Sequence, residues 1–270
     1  MPADDPTVGE LSEGEVLRRI LSRLARSVAL VGPGDDAAVL TAPDGRVVAT
    51  TDTLVHGPDF RLAWSSGFDL GWKAAAVNLA DIAAMGARPT ALLVALAMPN
   101  HTRASFVEQV AEGLRAACDA LAPGCAVEGG DLTVSDTLTI AVTALGSLDG
   151  RAPVLRSGAR VGDTVAVAGE LGLAGRGLGV LFGRFRNAEG DPVAVDLGAL
   201  DDDEAAALRA QLRPQPPILL GTIAADAGAT AMMDVSDGLV LDASRLAAAS
   251  GVTVDIDGSA LGADPTDALT

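Results

Sequence analysis

Over the first 150 residues the apolar positions alternate between a helical and a strand-like period. Leu17, Ile20, Leu21 and Leu24 are spaced i, i+3, i+4, i+7 behind Ser12 and Glu15. Only a 3.6-residue turn puts those four on one face, and the polar pair has capping-box spacing, so an amphipathic helix is expected. Residues 37–40 form a short apolar run, and 46–55 is rich in Val and Thr, which favours a strand. Pro43-Asp44-Gly45 between them predicts a hairpin turn. From Asp69 to Met85 the pattern is helical, with Gly86 as the C-cap and Pro89 just beyond. The continuous apolar run 91–98 predicts a buried strand, 106–121 a second helix closed by Pro123-Gly124, and 137–148 another strand.

Residues 149–162, DGRAPVLRSGARVG, are rich in Gly, Arg and Pro. They predict a boundary between an N-terminal domain, 1–148, and a C-terminal domain, 149–270. Beyond it, 164–168 reads as a strand, 169–183 as a Gly-studded segment and 187–203 as a polar excursion. Helices are expected at 204–212, 218–227 and 239–250, with strand-like runs at 231–234 and 252–256. The mixture, without regular βαβ alternation in the first half, points to an α/β (α+β) chain of two domains.

Apolar residues make up 49% of the 270-residue chain, enough for a real core, but aromatics are only 3% and Tyr is absent. The core must therefore be built from Ala, Val and Leu. A net charge of −17 argues against nucleic acid and anionic membranes as partners, since both are bound through clustered Lys and Arg. The acidic start has no apolar signal region, and no apolar run is long enough to span a bilayer, so a cytoplasmic protein is expected. Cys118 and Cys125 are then expected as free, packed thiols.

Carboxylates recur beside glycines or at the ends of apolar elements. They stand in Gly34-Asp35-Asp36, Thr50-Thr51-Asp52, Asn78 with Asp81, Gly129-Gly130-Asp131 and Asp234-Val235-Ser236-Asp237-Gly238. Asn78 and Asp81 are three apart on an expected helix and share a face. Each group alone also suits a bland role: a solvated turn at Asp36, a helix surface at Asp81, an N-cap at Asp237. Carboxylates gathered at buried ends repel one another and lose solvation, and a cation is the simplest compensation. Magnesium fits, since it takes one or two carboxylates, waters and substrate phosphate oxygens rather than a full protein cage. Phosphoryl transfer requires such an arrangement.

Other motifs fail. Gly32-Pro33-Gly34-Asp35-Asp36-Ala37 matches a relaxed dinucleotide fingerprint, but a short run and a turn follow it, not a long helix. No Walker loop occurs, Ser236 lacks the flanking glycine of a nucleophile elbow, and His56 and His101 show no metal-ligand spacing.

In order, GDDAAV (34–39), TTDTLVHGPDF (50–60), GWKAAAVNLADIAAMGA (71–87), GGDLT (129–133) and MDVSDGL (233–239) resemble the thiamine-monophosphate kinases. These belong to the aminoimidazole ribonucleotide synthetase-like superfamily. The resemblance implies a two-domain fold that dimerises through N-terminal strands closing a β-barrel. It implies transfer of the ATP γ-phosphate to thiamine monophosphate, with Mg2+ and with ATP as co-substrate. Carried over by motif, Asp36, Thr50, Thr51, Asp52, Asp81, Asp131, Asp234 and Asp237 are the implied metal ligands. Asp52, Asp81 and Asp237 are the implied catalytic positions. Gly130, Asp131, Arg156 and Ser236 are implied at ATP, and Asp59 stands where the family carries a substrate-binding His. Pro217 replaces a family Arg, and the family's acidic distal motif and thiamine-contacting aromatic would fall beyond Thr270. A sister enzyme of the superfamily, or a non-catalytic nucleotide- or metal-binding homologue, is the alternative.

Overall fold

The helix that organises the first half starts at a reciprocal cap. The Ser66 hydroxyl accepts from the Asp69 N–H at 3.2 Å, and the Asp69 carboxylate accepts from the Ser66 N–H at 2.9 Å. Two orphan donors are thereby satisfied at once. The computed structural model describes residues 5–24, 26–31, 38 and 40–257. Within them the first half comprises α1 (Glu13–Leu21), β1 (Val48–Val55), α2 (Gly67–Ala84), β2 (Arg88–Met98), α3 (Ala104–Leu121), β3 (Ala126–Val134) and β4 (Thr139–Ser147).

The four strands form one mixed sheet in the order β1-β4-β2-β3. β4 runs antiparallel to both β1 and β2, and β3 runs parallel to β2 after the α3 crossover. Pro89 lies inside β2, where it cannot donate to the ladder, and the register shifts between Pro89 and Ala91. One face of the sheet is covered by α2 and α3, which bury Leu70, Leu79, Ile82, Val107, Val110 and Leu114 against Leu92, Ile140 and Val142. The scarcity of large side chains has a geometric counterpart in the helix pair. A Cβ on Gly71 would stand 2.0 Å from the Val110 carbonyl oxygen, and one on Gly113 would stand 2.1 Å from that of Phe68. α2 and α3 thus touch backbone to backbone.

The second half contributes α4 (Leu173–Arg184), α5 (Asp202–Leu212), α6 (Leu219–Asp226) and α7 (Leu239–Ser250). It is fastened to α2 and to the segment just before it by specific bonds. The Trp72 indole donates to the Pro214 carbonyl at 2.7 Å and the Trp64 indole to that of Phe185 at 3.1 Å. Arg213 pairs with the Asp69 carboxylate while its guanidinium lies 4.7 Å over the Phe68 ring. Trp64, Leu181, Phe185 and Leu208 form a second, smaller core there.

The expected helices and the strands at 46–55, 91–98 and 137–148 form, with shifts of a few residues at their ends. Both cysteines are free and buried. Three strand-like runs, 164–168, 231–234 and 252–256, are not strands: they have no ladder partner among the described residues, and apolar composition cannot replace one. Two elements were not anticipated. β3 carries Gly129, Gly130, Glu128 and Asp131, a poor strand composition, and pairing with β2 overrides it. α4 contains four glycines, and a Cβ on Gly177 would lie 2.1 Å from the Ala207 carbonyl oxygen, so α4 and α5 also need close approach. Ala37 and Val39, in the first arm of the expected hairpin, lie outside the described residues.

Gly71→Ala is expected to force α2 and α3 apart and to lower unfolding free energy by about 1–3 kcal/mol. Urea unfolding followed by circular dichroism measures it, and an unchanged midpoint would refute the close-packing account.

Candidate active site

The site begins where α2 crosses β1. Thr50 and Asp52 are two apart on the strand and point to the same side, and Asn78 and Asp81 are three apart on the helix. The Thr50 hydroxyl donates to the Asp81 carboxylate at 2.7 Å. The Asp52 N–H donates to the side-chain oxygen of buried Asn78 at 3.0 Å, and the Asn78 amide donates to the Ala74 carbonyl at 2.9 Å. The Asn78 oxygen therefore ties the strand to the helix while its amide is anchored on its own helix, which sets Asp52 against Asp81. Asp234 joins them on the segment leading into the Ser236-Asp237-Gly238 turn, with the Arg156 guanidinium 3.8 Å from its carboxylate.

The three carboxylates feel one another. Asp52 is held above the ordinary aspartate range by burial and then by the charge of Asp234. Asp81 is raised by burial, opposed by the Thr50 hydrogen bond, and raised again by Asp52. Asp234 is raised by burial and then by Asp81, with Arg156 acting the other way. Such a cluster binds protons, or cations, more readily than isolated aspartates do. No group of three His, Cys, Asp or Glu side chains among the described residues forms a ready-made metal cage.

The remaining expected positions lie at varied distances from this centre. The Thr51 hydroxyl donates to the Val142 carbonyl at 3.0 Å, across the ladder from Asp52. Ser236 and Asp237 follow Asp234 in the turn before α7, and Asp237 pairs with Arg245 at 2.6 Å. Asp59 turns back on its own loop and accepts from the Val55 N–H at 2.7 Å. Asp36 lies outside the described residues. Gly130 and Asp131 are on β3, the opposite edge of the sheet from β1. Asp52, Val142, Val94 and Gly130 share one register row, and Thr53, Ala141, Ala95 and Asp131 the next. Asp131 is thus on the face opposite to Asp52 and about 14 Å away across three strand spacings. A Cβ on Gly130 would meet the Val94 carbonyl oxygen at 1.9 Å, so glycine is required there.

Two buried carboxylates went unnoticed in the sequence. Glu128 accepts from the Ser27 hydroxyl and, at 2.8 Å, from the Val28 N–H, tying the segment before GDDAAV to the start of GGDLT. Asp242 accepts from the Ser236 and Asp237 N–H groups, both at 2.9 Å. Neither stands in a distinctive pattern; adjacency to GGDLT and a position one helical turn past MDVSDGL were the available signals.

Residues 34–148 match the family model described as AIR synthase related protein, N-terminal domain. The thiamine-monophosphate kinase of Mycobacterium tuberculosis is 42% identical over 271 residues, spanning 100% of this chain and 76% of that protein. The chain belongs to the thiamine-monophosphate kinase family. Solved members share its fold. The thiamine-monophosphate kinase of Stenotrophomonas maltophilia K279a superposes with a TM-score of 0.73 at 38% identity, covering 89% of this chain and 73% of that one. An Aquifex aeolicus family member, described as complexed with AMPPCP and TMP, superposes at 0.69 with 30% identity, covering 96% and 82%.

In the metal-free protein, Asp81→Asn is expected to raise thermal stability at pH 7. A carboxylate whose pKa is raised on folding contributes stability fully below its unfolded value and loses it as pH rises through the folded value. The gain of the Asn variant should therefore fade as pH falls toward the aspartate range. Melting curves between pH 4 and 8 check this; a variant less stable than wild type at pH 7 would contradict the raised pKa.

Proposed function

We propose that this chain transfers the γ-phosphoryl group of ATP to the phosphate of thiamine monophosphate, giving thiamine diphosphate and ADP. The observation that carries the reading is the convergence of Asp52, Asp81 and Asp234, with Arg156 beside them, in a family with a member solved with an ATP analogue and TMP. The donor set fits magnesium, a hard cation that takes carboxylate and hydroxyl oxygens together with substrate phosphate oxygens. Asp52, Asp81 and Asp234 would hold it beside Thr50; the family resemblance adds Thr51, Asp36 and Asp237, and it adds Asp131 only from a second copy of the chain. When bound, magnesium would neutralise charge on the triphosphate and on the acceptor.

The chain's own residues orient the reactants. In this reading Arg156 and the Ser236 turn receive ATP oxygens, and Asp59, in the loop that follows β1, belongs to the substrate subsite. An acceptor oxygen of thiamine monophosphate forms a bond to the γ-phosphorus as the bond to the bridging β–γ oxygen breaks, in line, and ADP leaves. The acceptor phosphate has a second pKa near 6 and is already ionised at neutral pH, so no general base is needed. The aspartates act through charge and position.

We further propose a homodimer whose sheets meet edge to edge. Among the described residues β1 and β3 are the two edges of the sheet, and edge strands invite pairing. Setting β3 of one copy beside β1 of the other brings the GGDLT segment to Asp52, which one chain by itself cannot do. A cytoplasmic location accompanies this reading; among the described residues no helix is long and apolar enough to cross a membrane.

Purified protein given MgATP and thiamine monophosphate should form ADP and thiamine diphosphate, and Asp52→Asn should lower turnover at least about 100-fold. Absence of thiamine diphosphate with wild-type protein would reject the assignment. Asp52→Asn and Asp131→Asn, each inactive alone, should recover roughly a quarter of wild-type activity when co-expressed, because half the dimers are mixed and each mixed dimer keeps one intact site. No recovery would place both residues in one chain's site.

A further inference from the structure

Asp242 lies on the first turn of α7, where side chains commonly face solvent, yet it is 1% exposed. Its carboxylate is engaged on both oxygens. One accepts the Ser236 and Asp237 N–H groups, both at 2.9 Å, and the other accepts from Arg245 at 2.8 Å. The same Arg245 nitrogen reaches the Asp237 carboxylate at 2.6 Å. Gly238, at φ +112°, lets the chain double back so that residues 236 and 237 stand over α7. A buried carboxylate with two consecutive amides and a shared guanidinium is a fixed anchor, because losing any partner would strand a charge away from water.

We infer that Asp242 is a positioning residue: it sets the main chain of the Ser236-Asp237 turn, and Arg245 serves as a built-in counter-ion that occupies Asp237 until a divalent cation replaces it. The inference rests on the reading that this turn contacts nucleotide and metal. The sharing of one guanidinium gives the device its logic. When Asp237 turns to a metal, Arg245 keeps its bond to Asp242, so the turn is released at the carboxylate that must move and held at the backbone that must not. Outer partners of this kind typically change metal affinity or activity about 10–100-fold when removed.

The test uses the full chain with Asp242→Ala, Asp242→Asn and Arg245→Gln. Amide hydrogen exchange on residues 234–240 is measured without metal or nucleotide, and MgATP binding is measured by calorimetry on the folded protein. Asp242→Ala should speed exchange at residues 236 and 237, weaken MgATP about 10–100-fold and raise KM for ATP while leaving KM for thiamine monophosphate unchanged. Asp242→Asn keeps an oxygen for the two amides and should recover most of the protection and affinity. Arg245→Gln should leave the amides protected and lower the Mg2+ concentration for half-saturation about tenfold, and it decides the matter if the Ala protein does not fold. A folded Asp242→Ala protein with wild-type exchange and affinity, an Asn variant as impaired as Ala, or an unchanged Mg2+ requirement in Arg245→Gln would overturn the inference. Wild-type protein that binds no MgATP would instead reject the nucleotide reading, and the exchange data would still report on the anchor.

Discussion

Burial of Asp52, Asp81 and Asp234 beside one another is the constraint around which the candidate site is arranged. Folding brings these three carboxylates together and removes part of their water, and both effects oppose ionisation. The protein tolerates the arrangement by surrounding it with partial compensation: a hydroxyl from Thr50, the guanidinium of Arg156, and Arg245 on the neighbouring Asp237. None of these cancels the repulsion. The deficit of positive charge is what the proposed metal-bound triphosphate would answer.

The scaffold beneath that cluster is built for closeness. Few large side chains are available, and glycines at Gly71 and Gly113 let α2 and α3 approach until backbones touch. A rigid pair of helices against one face of the sheet fixes where Asn78 and Asp81 stand relative to β1. The opposite solution, a core of large interdigitating side chains, would keep the helix axes further apart and would leave Asp81 a less certain neighbour of Thr50.

Much of this was legible in the sequence. Helix spacing placed Asn78 and Asp81 on one face, and strand spacing placed Thr50 and Asp52 together, because both periods are local geometry. Residue type led the sequence reading to cations rather than acid–base catalysis, and the metal role stays part of the proposal. What was hidden is what depends on tertiary partners. β3 is a strand because β2 offers it a ladder, not because of its glycines and acids, and the runs at 164–168, 231–234 and 252–256 lack such a ladder. Asp242 and Glu128 were unreadable for a related reason. A buried carboxylate differs from a surface one only in the amides that face it, and those come from residues whose approach no local pattern records.

Asp69 joins two tasks in one side chain: it closes the cap of α2 and holds Arg213 just beyond α5. Any swing of the second half against the sheet must break that pair or pull on the first turn of α2. Asp81 rides the same helix about 18 Å further along, so one continuous rod of backbone joins the junction to the carboxylates.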